Sequence, residues 1–130
     1  MIRHWSQTAL PEAVGSLRTA VCNFASAAGM KNPALADARV ALSEALTNAV
    51  VHSYREVDAP GAVAVTATVD DGTMWLVIKD EGCGFKPRLD SPGLGLGLPM
   101  IAALADSFDI RSVTPTGTAI HMTFDNPQLE

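Results

Sequence analysis

Apolar residues recur along this chain with two different periods, and the switches between them mark its elements. Residues 2–8 mix polar and β-prone types and read as an edge strand. From Leu10-Pro-Glu-Ala-Val onward the pattern turns helical. Val14, Leu17, Val21 and Phe24 recur at spacings of three and four. Pro11 suits an early helical position, Glu12 suits the positive end, and Gly29 supplies a stop. Asn32-Pro33 then reads as an N-cap followed by proline at the first helical position, with Asp37 again near the positive end. Leu35, Leu42, Ala45, Leu46, Ala49 and Val50 continue an apolar stripe to about residue 53. Pro60-Gly61 breaks it.

The period then changes to two. Val63, Val65, Ala67 and Val69 alternate with Ala64, Thr66, Thr68 and Asp70, so Ala62–Asp70 is a half-buried strand. Asp71-Gly72 is a hairpin turn, and Met74–Lys79 is the returning strand. The glycine- and proline-rich stretch 81–97 is a loop. Leu98–Ser107 reads as a helix. Phe108–Val113 and Thr118–Phe124 read as two more strands, joined by a turn at Pro115-Thr-Gly117. Helices followed by hairpins imply an α+β fold: a two-layer α/β sandwich, a mixed sheet with its helices on one face.

Composition narrows the picture. The chain has 130 residues, enough for one domain, and 48% of them are hydrophobic, which is ample for a core. Charged residues make up 18%, too few for a disordered chain. The formal charge of −5 argues against a nucleic-acid binder and against electrostatic attachment to a membrane. No apolar run is long enough to span a bilayer, and Met-Ile-Arg-His-Trp-Ser lacks the apolar core of a secretion signal. The expected location is the cytoplasm. Cys22 and Cys83 alone make neither a disulfide framework nor a zinc site, and both are expected as free thiols.

Three local patterns carry chemistry. Glu44, Asn48 and His52 are spaced by four, so they share one face of the second helix. This row is either a solvated helix edge or a carboxylate and an amide aimed at a nucleophile and a hard metal ion. Asp80-Glu81-Gly82-Cys83-Gly84 follows a strand directly. It is either a tight turn or a ligand site whose glycines permit close backbone approach. Gly93-Leu-Gly-Leu-Gly97-Leu98-Pro99 precedes a helix, where free backbone N–H groups suit an anion such as phosphate. It matches neither the P-loop nor the dinucleotide fingerprint.

The order of these patterns is Glu-x-x-x-Asn on a helix, Asp-x-Gly-x-Gly after a strand, Gly-x-Gly before a helix, and Gly117-Thr118 between strands. This order resembles the GHKL (histidine kinase-like, Bergerat-fold) ATPases over roughly residues 10 to 125. Ser43-Glu-Ala-Leu-Thr-Asn-Ala-Val-Val-His52-Ser-Tyr54 is most similar to the bacterial anti-sigma-factor serine/threonine kinases. The resemblance implies a single ATPase domain over 1–130, with ATP and Mg2+ as cofactors. It implies Asn48 as the metal ligand and Glu44 as the general base. Asp80 would accept from the adenine amino group, with Thr118 nearby through water. Gly82 and Gly84 would admit the base, and Gly93, Gly95, Gly97 and Leu98 would lie along the phosphates. Arg18, on the outer part of the first helix, matches a partner-contacting position. His52 would be structural.

As partners the resemblance implies a sigma factor and a small anti-sigma-antagonist protein that is the kinase substrate. It also admits a homodimer, which an edge strand at 2–8 would support. The stretch from Phe85 to about Pro92 is short for a lid over ATP, and Gly93-Leu94 stands where such kinases often carry a basic residue; Lys86 and Arg88 are the nearby cations. Because phosphoryl transfer depends on charge neutralisation, a nucleotide-dependent protein-binding module without kinase activity is the alternative.

Overall fold

The computed structural model describes residues 1–51, 61–80, 97–112 and 117–129. Strand β1 (Ile2–Thr8) leads into helix α1 (Pro11–Ala27) and helix α2 (Ala34–Val51). Strands β2 (Ala62–Asp70) and β3 (Thr73–Asp80) form a hairpin. Helix α3 (Gly97–Leu104) precedes β4 (Ser107–Ser112) and β5 (Thr118–Asp125). The sheet order is β1-β2-β3-β5-β4. Every neighbouring pair runs antiparallel, where a mixed sheet was expected. The α+β two-layer architecture is as the sequence implies. The direction of the pairs differs because each described strand meets its neighbour as a hairpin or an antiparallel return.

The alternation of β2 and β3 sorts their side chains cleanly. Val63, Val65, Ala67 and Val69, with Met74, Leu76 and Ile78, are buried against the helices. Thr66, Thr68, Trp75 and Lys79 lie on the opposite face, where Trp75 is 41% exposed. On the helix side, α1 contributes Ala13, Leu17, Val21, Phe24 and Ala25, and α2 contributes Leu42 and Leu46. Leu42 and Leu46 are both fully buried, each stabilising by about 1.5–3 kcal/mol through removal of apolar area from water. Around these leucines, α2 presents Ala38, Ala41, Ala45 and Ala49 to the core. Short side chains at these positions let α2 lie close on the sheet.

The turn Asp71-Gly72 has positive φ at both residues, as a tight hairpin requires. Gly29 follows α1 with φ 109°, and a Cβ there would stand 2.5 Å from the Gln128 carbonyl oxygen. The chain end thus packs onto the corner between the helices. Asn126 secures it, its Nδ2 donating to the Lys31 carbonyl at 3.1 Å and its backbone N–H to the Gly72 carbonyl at 2.7 Å. The α2 helix starts two residues beyond the expected Asn32 cap. The Lys31 and Pro33 carbonyls accept from the Leu35 and Asp37 N–H groups, so proline lies just before the helix. Helix α3 ends earlier than expected, at Leu104. The Asp106 N–H instead donates to the Thr123 carbonyl, and its carboxylate accepts from the Asp125 N–H, which starts β4.

Among the described residues, no helix is long and apolar enough to cross a membrane.

Candidate functional site

Asp80 is the last residue of β3, and Thr118 is the first of β5. They stand opposite each other in the ladder. The burial alternation of both strands turns them toward the helices: Leu76, Ile78 and Asp80 on β3, and Thr118, Ile120 and Met122 on β5. Directly opposed residues hold their Cβ atoms about 4.5–5.5 Å apart. A carboxylate and a hydroxyl are therefore neighbours at one end of the layer between sheet and helices. Asp80 is 6% exposed and Thr118 is 3% exposed. The Thr118 Oγ1 is buried and has no hydrogen-bond partner among the described residues. Such a hydroxyl is costly to bury and invites a polar ligand.

Helix α2 carries the predicted polar row. Asp37, Ala41, Glu44 and Asn48 follow one another at helical spacing along one face of it. At the start of α2, Asp37 borders a cavity of about 410 Å3 that also meets Leu104 of α3, Asp106, and Phe124 and Asp125 of β5. The start of α2 therefore sits beside the ends of α3 and β5. At a rise of about 1.5 Å per residue, Asn48 lies some 16 Å further along the helix. Glu44 and Asn48 are both half-buried. Of the predicted positions, Asp80 and Thr118 are the two that the ladder brings together.

Leu98 is half-buried against the core in the first turn of α3. Gly97 opens that helix, so backbone N–H groups of its first turn lack intrahelical acceptors and suit an anion. His52, Gly82, Cys83, Gly84, Lys86, Arg88, Gly93 and Gly95 lie outside the described residues. Cys22 is a free, buried thiol, as expected.

Arg18 departs from expectation. It is half-buried rather than on the outer part of α1, and its Nη1 donates to Ser43 Oγ on α2 at 3.3 Å. Ser43 in turn donates to the Arg39 carbonyl at 2.8 Å. The Arg18–Ser43 contact joins two helices across a long sequence separation, so local spacing does not foretell it.

The donor set fits a nucleotide and a divalent ion. A buried acid and a hydroxyl without a partner among the described residues suit the edge of a heterocycle, an amide oxygen suits magnesium, and a helix start suits phosphate.

The model of the histidine kinase-like ATPase domain matches residues 7–124. An anti-sigma F factor of Bacillus licheniformis is 30% identical over 129 residues, covering 89% of this chain and 86% of that protein. The serine-protein kinase RsbW of the same organism is 31% identical over 130 residues, covering 88% and 79%. A solved structure of the RsbU and RsbW domains of a Mycobacterium tuberculosis protein superposes with a TM-score of 0.76 at 24% identity. It covers 99% of this chain and 34% of that longer one, a likeness of fold.

Proposed function

The chain belongs to the histidine kinase-like ATPase domain family, in its anti-sigma-factor kinase branch, and from that premise we propose that it is an ATP-dependent protein serine/threonine kinase that also sequesters a sigma factor. Its substrate is a small anti-sigma-antagonist protein. The observation that carries the reading is the buried Asp80–Thr118 pair, opposed in the ladder, whose threonine hydroxyl has no hydrogen-bond partner among the described residues.

Asp80 would accept from the adenine amino group, with Thr118 nearby through water, and Gly82 and Gly84 would admit the base. The Asn48 side-chain oxygen would hold Mg2+, and Gly93, Gly95, Gly97 and Leu98 would lie along the phosphates. Bound ATP with Mg2+ would supply the transferable phosphoryl group and neutralise its charge. Glu44 takes the proton from the hydroxyl of the substrate serine or threonine. Arg18 contacts the partner protein. The setting is the cytoplasm, and β1 leaves one side of the sheet open for a homodimer.

The test uses labelled ATP, Mg2+ and an antagonist protein bearing an acceptor serine. Label should move to the antagonist. Glu44→Gln should keep nucleotide binding while transfer falls by about 10²–10⁴-fold, the usual contribution of a general base. Transfer that survives Glu44→Gln would remove that residue from the chemistry. ATP binding without any transfer to the cognate antagonist would leave the non-catalytic binding module, which the short stretch from Phe85 to Pro92 favours.

A further inference from the structure

Asn126 ties together three separate parts of the chain. It follows β5, is 5% exposed, and has a hydrogen bond at each of its polar groups. Its backbone N–H donates to the Gly72 carbonyl in the β2–β3 turn at 2.7 Å, and its carbonyl accepts from the Leu129 N–H at 3.0 Å. In the side chain, Oδ1 accepts from the Gln128 N–H at 3.1 Å, and Nδ2 donates to the Lys31 carbonyl at 3.1 Å. The Lys31 carbonyl also accepts from the Leu35 N–H at 3.0 Å, the bond with which helical geometry begins at the entry to α2. One acceptor thus serves both the helix start and the segment after β5. The buried Leu129 side chain and the Gln128 carbonyl, which stands against Gly29, press that segment onto the same corner.

The other side of this corner is open. The cavity of about 410 Å3 lies between Pro33, Ala34 and Asp37 at the entry to α2 and Leu104 and Asp106 at the end of α3, with Asn126 on its rim. The Asn126 side chain therefore opposes a movement for which the cavity gives room. Leu42 and Leu46, both fully buried, fix the middle of α2 and serve as a pivot. At about 1.5 Å per residue, Ala34 lies about 12 Å before Leu42, and Asn48 about 9 Å after it. A shift of about 1 Å at the helix start then moves Asn48 by roughly 0.75 Å in the opposite direction. Magnesium demands near-ideal octahedral geometry, so an error of that size at a ligand matters. Asp80 and Thr118 belong to the sheet and do not tilt with α2.

We propose that Asn126 is a positioning residue: by holding the Lys31 carbonyl it sets the tilt of α2, and through that tilt the placement of Asn48 for a nucleotide-bound metal ion. The proposal rests on the reading of Asn48 as the Mg2+ ligand. Its new content is a distant asparagine that acts on Asn48 through the whole helix.

The test compares the full chain with Asn126→Ala, well below both melting temperatures. Each is titrated with adenosine, and with ATP in the presence and absence of MgCl2, and amide hydrogen exchange is followed on the same proteins. In Asn126→Ala the gain in ATP affinity on adding MgCl2 should shrink by about threefold or more, while adenosine affinity stays within about twofold of the parent. The Leu35 and Asp37 amides should exchange about tenfold faster, and those of the β1–β2 ladder at the parent rate. Leu129→Ala loosens the segment from its far end and leaves the Asn126 side chain in place. It should move both readouts the same way, and it decides the matter if Asn126→Ala does not fold. Thr73→Val removes the Thr73–Asp125 hydrogen bond beside the same turn and should change neither readout. A parent-like gain on adding MgCl2, an equal loss for adenosine and for ATP with MgCl2, or uniformly faster exchange would overturn the proposal, since each marks a residue that only stabilises the fold. A parent chain that binds neither adenosine nor ATP strikes the nucleotide reading instead, and the exchange pattern then decides by itself whether Asn126 holds α2.

Discussion

Replacing Thr118 with valine should stabilise the empty protein and weaken its hold on nucleotide. The two side chains have nearly the same shape, and both suit a strand. What changes is the hydroxyl, which in the structure is buried, 3% exposed as a residue, and without a described partner. Burying an unsatisfied hydroxyl costs about 1–3 kcal/mol in proteins. Removing it should therefore return about 1 kcal/mol or more, which for a chain of this size raises the melting temperature by roughly 4 °C per kcal/mol. On the proposed reading a bound nucleotide gives the hydroxyl a partner, and its loss should cost about 0.5–1.5 kcal/mol of affinity, roughly a 2- to 13-fold rise in Kd. The assays are a thermal melt without nucleotide and a calorimetric titration with ATP and Mg2+. A Thr118→Val variant that melts lower and binds ATP as tightly as the parent would refute the reasoning on both counts.

Two further perturbations test the frame around the site. Gly29→Ala places a Cβ 2.5 Å from the Gln128 carbonyl oxygen and forces φ 109° on an L-residue. It should destabilise by about 1–3 kcal/mol, read as a lower urea midpoint at unchanged slope; an unchanged midpoint would show that the chain end does not pack there. His121 lies on the open face of the sheet. Burial holds its pKa below the ordinary 6.5, aided by Arg111 and Lys79 and opposed by Asp109. A depressed histidine pKa means that the unfolded chain binds the proton more readily. Its stabilising effect is complete above about pH 6.5 and fades as pH falls through the folded value. Stability should fall from pH 7 to pH 5, and His121→Gln should flatten part of that slope. Parallel slopes for variant and parent would exclude His121 as a source.

Much of the fold was legible because the periods are strong. Ala62–Asp70 has the same limits by alternation as in the structure, and its hairpin follows from Asp71-Gly72. Helix ends were harder to place. Pro33 fits both the first helical position and the position before it, and local pattern cannot separate the two. Likewise, Leu104, Ala105 and Asp106 continue a helical pattern, and only the pairing of Asp106 with β5 turns the chain into a strand. Sheet order and direction depend on contacts distant in sequence, so local pattern does not place β5 beside β3. At the site, Asp80 and Thr118 were named apart, and the ladder makes them neighbours. Spacing puts Arg18 on α1 but does not say which way its long side chain folds back.

The alanines of α2 have a mechanical consequence. Large side chains interlock across a helix–sheet contact, and sliding past them means climbing over each in turn. Ala38, Ala41, Ala45 and Ala49 offer few such obstacles, whereas the fully buried Leu42 and Leu46 key α2 into its place. Because Ser43, Glu44 and Asn48 ride on this one keyed rod, their mutual spacing is held fixed, and a displacement of any one of them carries the other two.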